Sequence, residues 1–200
     1  MRTYLLLSCS LLAGSATKAQ NHADCDSAFW IGAGYLTHFV AAYGEGNDRE
    51  EATRIPCFMN GESFGQAEKN STWVRFTIDQ PGALRFSITP DSLDDDYDFV
   101  LFQIPEKGGC KDKIVVRCMA AGDENREKSP CRGVTGLRDK EKDTTEDAGC
   151  SDPGDNNWLK PLPVKSGETY VLLVSNISNP VNGFVLRFTG DYTFKERPEQ

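Results

Sequence analysis

The polar and apolar residues alternate from residue 71 onward. In "STWVRFTI" (71–78), Val74, Phe76 and Ile78 face one way, while Trp73, Arg75 and Thr77 face the other. A period of two is the signature of a strand. "QPG" follows, with Pro81 and Gly82 placed as a type II turn wants them. "ALRFSIT" alternates again, with Leu84, Phe86 and Ile88 against Arg85, Ser87 and Thr89. The two runs predict a hairpin with one buried face. "YDFVLFQI" (97–104) is apolar on both faces, as an inner strand of a sandwich would be. "KIVVRCM", "TYVLLVSN" and "FVLRFTG" add three more strands, and one or two are expected at 29–31 and 35–40. The stretch 34–44, "GYLTHFVAAYG", reads as a short helix or another strand.

These elements predict an all-β chain, a jelly-roll-like sandwich of two sheets. Residues 120–160 break the pattern. They are rich in charge, Gly and Pro and hold two cysteines, so a long polar loop stapled by a disulfide is expected there.

Composition narrows the class. The 200 residues are 38% hydrophobic and 26% charged, which suits one domain with a packed core. The formal charge of −8 argues against a nucleic-acid partner. The first residues read as a secretory signal. Arg2 precedes the apolar run "YLLLSCSLLAG", and the small residues Thr17 and Ala19 place cleavage after Ala19. That run is too short to anchor a chain across a membrane. Cys9 offers a lipoprotein alternative, but only residues 4–8 would then form the apolar segment. Loss of 1–19 leaves 20–200 as a single domain, without Arg2 and Lys18 and so more acidic still.

Six cysteines remain: Cys25, Cys57, Cys110, Cys118, Cys131 and Cys150. An even set behind a signal peptide predicts three disulfides, with 15 pairings open. Sequence proximity favours Cys25–Cys57, Cys110–Cys118 and Cys131–Cys150. A zinc site is the weaker reading, because no Cys-x-x-Cys pair occurs and only His22 and His38 are present.

"NSTWVRFTIDQPGALRFSITP", "DDDYDFVLF", "VVRCM", "GVTGL" and "VKSGETYVLLVSNIS…NGFVLRFTG" carry a resemblance. Over about residues 25–192 the chain resembles the extracellular β-sandwich domains of gliding-motility-associated bacterial surface proteins. It is more loosely similar to the jelly-roll domains that follow the catalytic part of secreted bacterial peptidases. The resemblance implies a recurring, non-catalytic building block of surface proteins.

Little in the chain speaks for catalysis. His38 lies between Thr37 and Phe39 in an apolar stretch and reads as structural, so His38→Ala is expected to leave function intact. No serine sits in a Gly-x-Ser-x-Gly elbow. Oxidised cysteines are not nucleophiles. A binding or adhesion role follows, directed at a cell-surface protein or glycan, with the protein secreted, surface-held or periplasmic. A carbohydrate-binding module is the first alternative, with Trp30, Trp73 and Trp158 as candidate platforms. Trp73 reads either as exposed or, preferably, as packed under the N-terminal segment. A structural building block is the second alternative.

One cluster carries its own chemistry. Asp91, Asp94, Asp95, Asp96 and Asp98 crowd into eight positions. Asp96 and Asp98 share parity with Val100, Phe102 and Ile104, so both stand at the end of an apolar face. Two carboxylates about 4 Å apart repel by about 4 kcal/mol at an effective dielectric of 20. A proton, an arginine such as Arg75, Arg85 or Arg117, or a hard cation must offset this. Calcium takes such oxygens in irregular loops, and its candidate ligands are Asp96 and Asp98 first, then Asp94 and Asp95. The cluster does not match the helix–loop–helix calcium pattern. Otherwise Asp91 and Asp94 cap a turn and Asp98 accepts backbone N–H groups.

Overall fold

Strands that are apolar at both parities have to be covered on both faces, and the chain builds three layers to do it. The structure, a computed structural model, describes residues 22–33, 36–39, 46–48, 51–52, 55–58, 70–122, 129–150, 153–178 and 182–197. The middle layer is a mixed sheet of seven strands. Its order is β1 (Phe29–Trp30), β3 (Ser71–Gln80), β11 (Thr169–Asn176), β5 (Tyr97–Ile104), β6 (Ile114–Met119) and β8 (Thr145–Glu146), with β13 (Thr193–Phe194) also paired to β3. The second sheet has six strands. Its order is β2 (Leu36–Phe39), β12 (Phe184–Thr189), β4 (Gly82–Pro90), β7 (Thr135–Leu137) and β9 (Trp158–Leu159), with β10 (Leu162–Val164) also paired to β4. Among the described residues the only helical pieces are three short 3-10 turns. The expected all-β, two-sheet sandwich is what forms.

The core between the sheets takes one parity of each long strand. Val74, Phe76 and Ile78 of β3 meet Leu84, Phe86 and Ile88 of β4, with Phe99, Leu101 and Leu172 beside them. Phe76 makes ring contacts with Tyr170, Phe188 and Phe194, which joins three strands and both sheets. Each such side chain contributes about 1.5–3 kcal/mol when fully buried.

The predicted β3–β4 hairpin does not form. β3 pairs with β11 in the first sheet, and β4 pairs with β12 in the second. Pro81 is a corner where the chain leaves one sheet and enters the other, as strands of packed sheets do. The alternating residues of the two runs therefore face each other across the core instead of lying side by side. Gly82 is needed at this corner, because an added Cβ would come within 2.9 Å of the Tyr192 backbone nitrogen.

The opposite parity of the first sheet forms a second core. Trp73, Val100, Phe102, Ile104, Val171 and Leu173 line its outer face. The N-terminal segment lies over them and adds Cys25, Ala52, Ile55 and Cys57. Trp73 stacks on Phe102 with ring centroids 5.7 Å apart, and Lys113 Nζ stands 5.5 Å from both rings. Trp73 is completely buried, so it is no exposed platform and packs under the N-terminal segment.

Two disulfides clamp this third layer. They join Cys25 to Cys110 and Cys57 to Cys118, while Cys131 pairs with Cys150 as expected. The local pairings Cys25–Cys57 and Cys110–Cys118 are thus corrected. β6 runs extended from Ile114, just after the Cys110 turn, through Cys118 and carries the two cysteines apart at about 3.3 Å per residue, whereas a disulfide needs Cα atoms within about 7 Å. Each faces the cover and takes a cover cysteine.

The described residues of 120–160 also hold more regular structure than the expected loop. β7, β8 and β9 lie in this stretch, with β8 parallel to β6 in one sheet and β9 parallel to β7 in the other. The stretch is a strap across both sheets, and the Cys131–Cys150 bridge fastens it.

In the chain-entropy picture the bridges spanning 85 and 61 residues contribute about 4–5 kcal/mol each, against about 3 kcal/mol for the one spanning 19. Peptide mapping without reduction is expected to recover Cys25–Cys110 and Cys57–Cys118. Urea unfolding is expected to show a larger loss for Cys25→Ala/Cys110→Ala than for Cys131→Ala/Cys150→Ala.

Candidate functional site

The two ends of β5 carry different chemistry, separated by about 20 Å of extended strand. At its N-terminal end lies the aspartate cluster. Ser92 starts the turn, since its carbonyl accepts the Asp95 N–H at 3.0 Å and its Oγ the Asp94 N–H at 3.4 Å. The five carboxylates then part company. Asp91 meets His38 Nε2 at 2.9 Å on the exposed surface. Asp94 forms an ion pair with Arg132. Asp95 is buried and accepts the side-chain amides of Asn176 at 3.4 Å and Asn182 at 3.3 Å. Asp96 sits against Gly122, where an added Cβ would collide with its carboxylate. Its backbone N–H donates to Ser178 Oγ at 2.7 Å.

Asp98 behaves differently. Parity places it with Val100, Phe102 and Ile104 on the outer face, and it is only 6% exposed. Its cross-strand partner is Ser175 of β11. Asp98 Oδ1 and Ser175 Oγ are both buried and neither has a hydrogen-bond partner. Burial, and then the nearby Asp96 charge, hold the Asp98 carboxyl well above the usual carboxylate range. The offsets considered from sequence resolve in part. Arg85 binds Asp139, and Arg117 donates to the Lys160 and Pro161 carbonyls. Arg75 stands level with Val171 and Phe102, four residues along the ladder from Asp98. Among the described residues no group of three or more His, Cys, Asp or Glu side chains is placed to hold a metal ion. Of the four calcium candidates, Asp96 raises the neighbouring Asp98, Asp94 pairs with Arg132, and Asp95 takes the Asn176 and Asn182 amides.

The cover has a carboxyl of the same kind. Glu51 Oε1 accepts the Cys25 N–H at 2.9 Å, and burial raises its pKa to about 7. In the strap, Glu146 accepts the Asn156 N–H at 3.1 Å, while burial and the Asp155 and Asp143 charges also raise it to about 7.

At the other end of β5 a pocket of about 550 Å³ opens. Its floor is Arg75, Ile104 and Thr169; its walls are the chain at 105–108 and the turn at 166–168. The first wall runs into Cys110, so the bridge to Cys25 steadies it. Thr77 and Thr169 hydroxyls bond each other at 2.8 Å beside the floor. Glu168 is held by the Lys165 N–H at 2.7 Å and the Tyr170 hydroxyl at 2.8 Å. The Arg75 Nε is buried with no acceptor, and the same holds for Nε1 of its β1 neighbour, Trp30. A buried donor left unpaired costs about 1–3 kcal/mol. The sequence showed Arg75 and Trp73 on one face, but gave no sign that two distant turns would wall Arg75 in. Of the other tryptophans, Trp158 lies in β9 with the Arg138 guanidinium 4.8 Å from its ring, fastening the strap.

The three disulfides mark a chain that folds in an oxidising compartment. No helix among the described residues is long and apolar enough to cross a membrane.

Asp98 sets a sign for pH dependence. A carboxyl whose pKa is raised by folding takes up a proton on folding, so stability is lost as pH climbs from about 4 toward the folded value. Glu51 and Glu146 act the same way up to about pH 7. Asp98→Asn is expected to raise stability at pH 7 by about 1–3 kcal/mol, or several degrees in melting temperature. Most of that gain is expected to vanish at pH 4. Thermal melts at both pH values, each with chelator and with millimolar calcium, check this. A calcium-dependent rise that Asp98→Asn abolishes would place a cation, rather than a proton, between Asp96 and Asp98.

No family model matches the chain, and no curated protein matches it. A solved structure described as "CorA is a surface-associated copper-binding protein important in Methylomicrobium album BG8 copper acquisition" aligns with a TM-score of 0.39 and 9% identity. The alignment covers 81% of this chain and 96% of that one, and a likeness this low carries no argument about function.

Proposed function

We propose that the chain is an exported, non-catalytic binding domain that works at or outside the cell surface, where it engages a surface protein or a glycan. The observation that carries this reading is the pocket at the end of β5. Arg75 lines it, and the Arg75 Nε, like Nε1 of its β1 neighbour Trp30, is buried without an acceptor. Native proteins seldom leave such groups unpaired unless water or a ligand completes them. The floor is a sheet held between two cores, and one wall continues into a disulfide. A pocket on so rigid a frame loses little entropy when it binds.

Two sequence features support the same reading. The resemblance to surface modules of gliding bacteria points to an extracellular role, and the secretory signal points to export. His38 and Asp91 form their ion pair on open surface and are no part of the pocket. The polar character of the pocket favours a glycan over an apolar ligand.

The test is retention of surface material by the immobilised full-length exported chain, with heat-denatured protein as control. Saturable retention of a protein or polysaccharide is expected, unchanged by His38→Ala. An absence of any saturable binding would favour a purely structural building block.

A further inference from the structure

The Arg75 pocket carries an inference about the class of molecule it takes. Arg75 is the only cation lining it, and no ion pair or side-chain hydrogen bond among the described residues occupies Arg75, Gln103 or Glu106. The register of β1 and β3 puts Trp30 directly beside Arg75, on the same outer face. Ile31 and Phe29 turn the other way, into or against the core between the sheets. Guanidinium N–H groups are donors only. What Arg75 lacks is an acceptor, and a planar carboxylate is the acceptor that a guanidinium fork matches best.

The rest of the pocket selects among carboxylates. Glu106 stands on the rim and Glu168 on the wall, so a bare inorganic anion would meet like charge. A ligand that also brings hydroxyl donors turns those carboxylates into acceptors. Gln103 and Ser166 add groups that both donate and accept. The volume of about 550 Å³ lies within the range of small-molecule sites and leaves room for a sugar ring.

We propose that this pocket binds the uronic-acid unit of an acidic glycan. The sugar carboxylate accepts from the Arg75 guanidinium, and the ring hydroxyls meet Gln103, Glu106 and Ser166. The assignment rests on the reading of the chain as a binding domain and names its ligand chemistry. The acidic surface, with a formal charge of −8, repels a long polyanion, so short or sparsely charged glycans suit the pocket better than densely charged ones.

The experiment is calorimetric titration of the full-length chain with mono- to trisaccharides of galacturonic and glucuronic acid, against their neutral galactose and glucose counterparts. The protein arms are the unmutated chain and Arg75→Gln. Circular dichroism melts verify folding of each. At least one acidic series is expected to bind about tenfold or more tightly than its neutral counterpart, because the neutral sugar leaves the guanidinium donors unpaired. Arg75→Gln is expected to erase that preference, with the melting temperature unchanged.

Equal binding of acidic and neutral sugars, an unaltered preference in folded Arg75→Gln, or no sugar binding at all would overturn the assignment. So would binding of a peptide with a free C-terminal carboxylate, lost on amidation, in place of the sugars. The surface-retention assay separates the two levels. Retention that survives Arg75→Gln removes this pocket but keeps the binding domain, whereas no retention by the unmutated chain removes both.

Discussion

A sheet whose central strands are apolar at both parities cannot leave one face wet, and the whole arrangement follows from that. β3, β11 and β5 bury almost every side chain they carry. One face is met by the second sheet. The other needs a cover, and the N-terminal segment supplies it. Its described residues form only short elements and add Cys25, Ala52, Ile55 and Cys57 to that core. Two disulfides fasten it to the Cys110 turn and to β6. Such bridges form and persist in an oxidising compartment.

The two ends of β5 differ in what surrounds their charged groups. At one end Asp98 is buried beside a silent hydroxyl, Ser175, and burial perturbs a carboxyl that would otherwise be ordinary. At the other end Arg75 lines a polar recess on an apolar sheet.

Much of this was legible along the chain and some was not. The period-two runs showed the long strands, and the continuous apolar run 97–104 showed that β5 would be buried on both sides. Parity alone placed Asp98 on the face of Val100 and Phe102. The β3–β4 relation was not legible, because a Pro-Gly step is equally a hairpin turn and a corner between sheets. Choosing between them requires knowing which strands β11 and β12 take as neighbours. The disulfides failed for a related reason: they join layers, and layer order is not a local property. β7 to β10 and β13 have two or three residues each, too few to show a period. The Arg75 pocket depends on turns near residues 106 and 167 meeting across the end of the sheet, which no window of sequence contains.

The central claim is that the cover is a separate layer, disulfide-held, on an otherwise self-sufficient sandwich. Hydrogen–deuterium exchange tests it most directly, comparing the full-length chain with Cys25→Ala/Cys110→Ala. The account expects faster exchange in the variant for residues 22–31, the Cys110 turn and the Trp73 end of β3, with β4 and β12 as slow as before. Equal loss of protection in both sheets, or none anywhere, would contradict it.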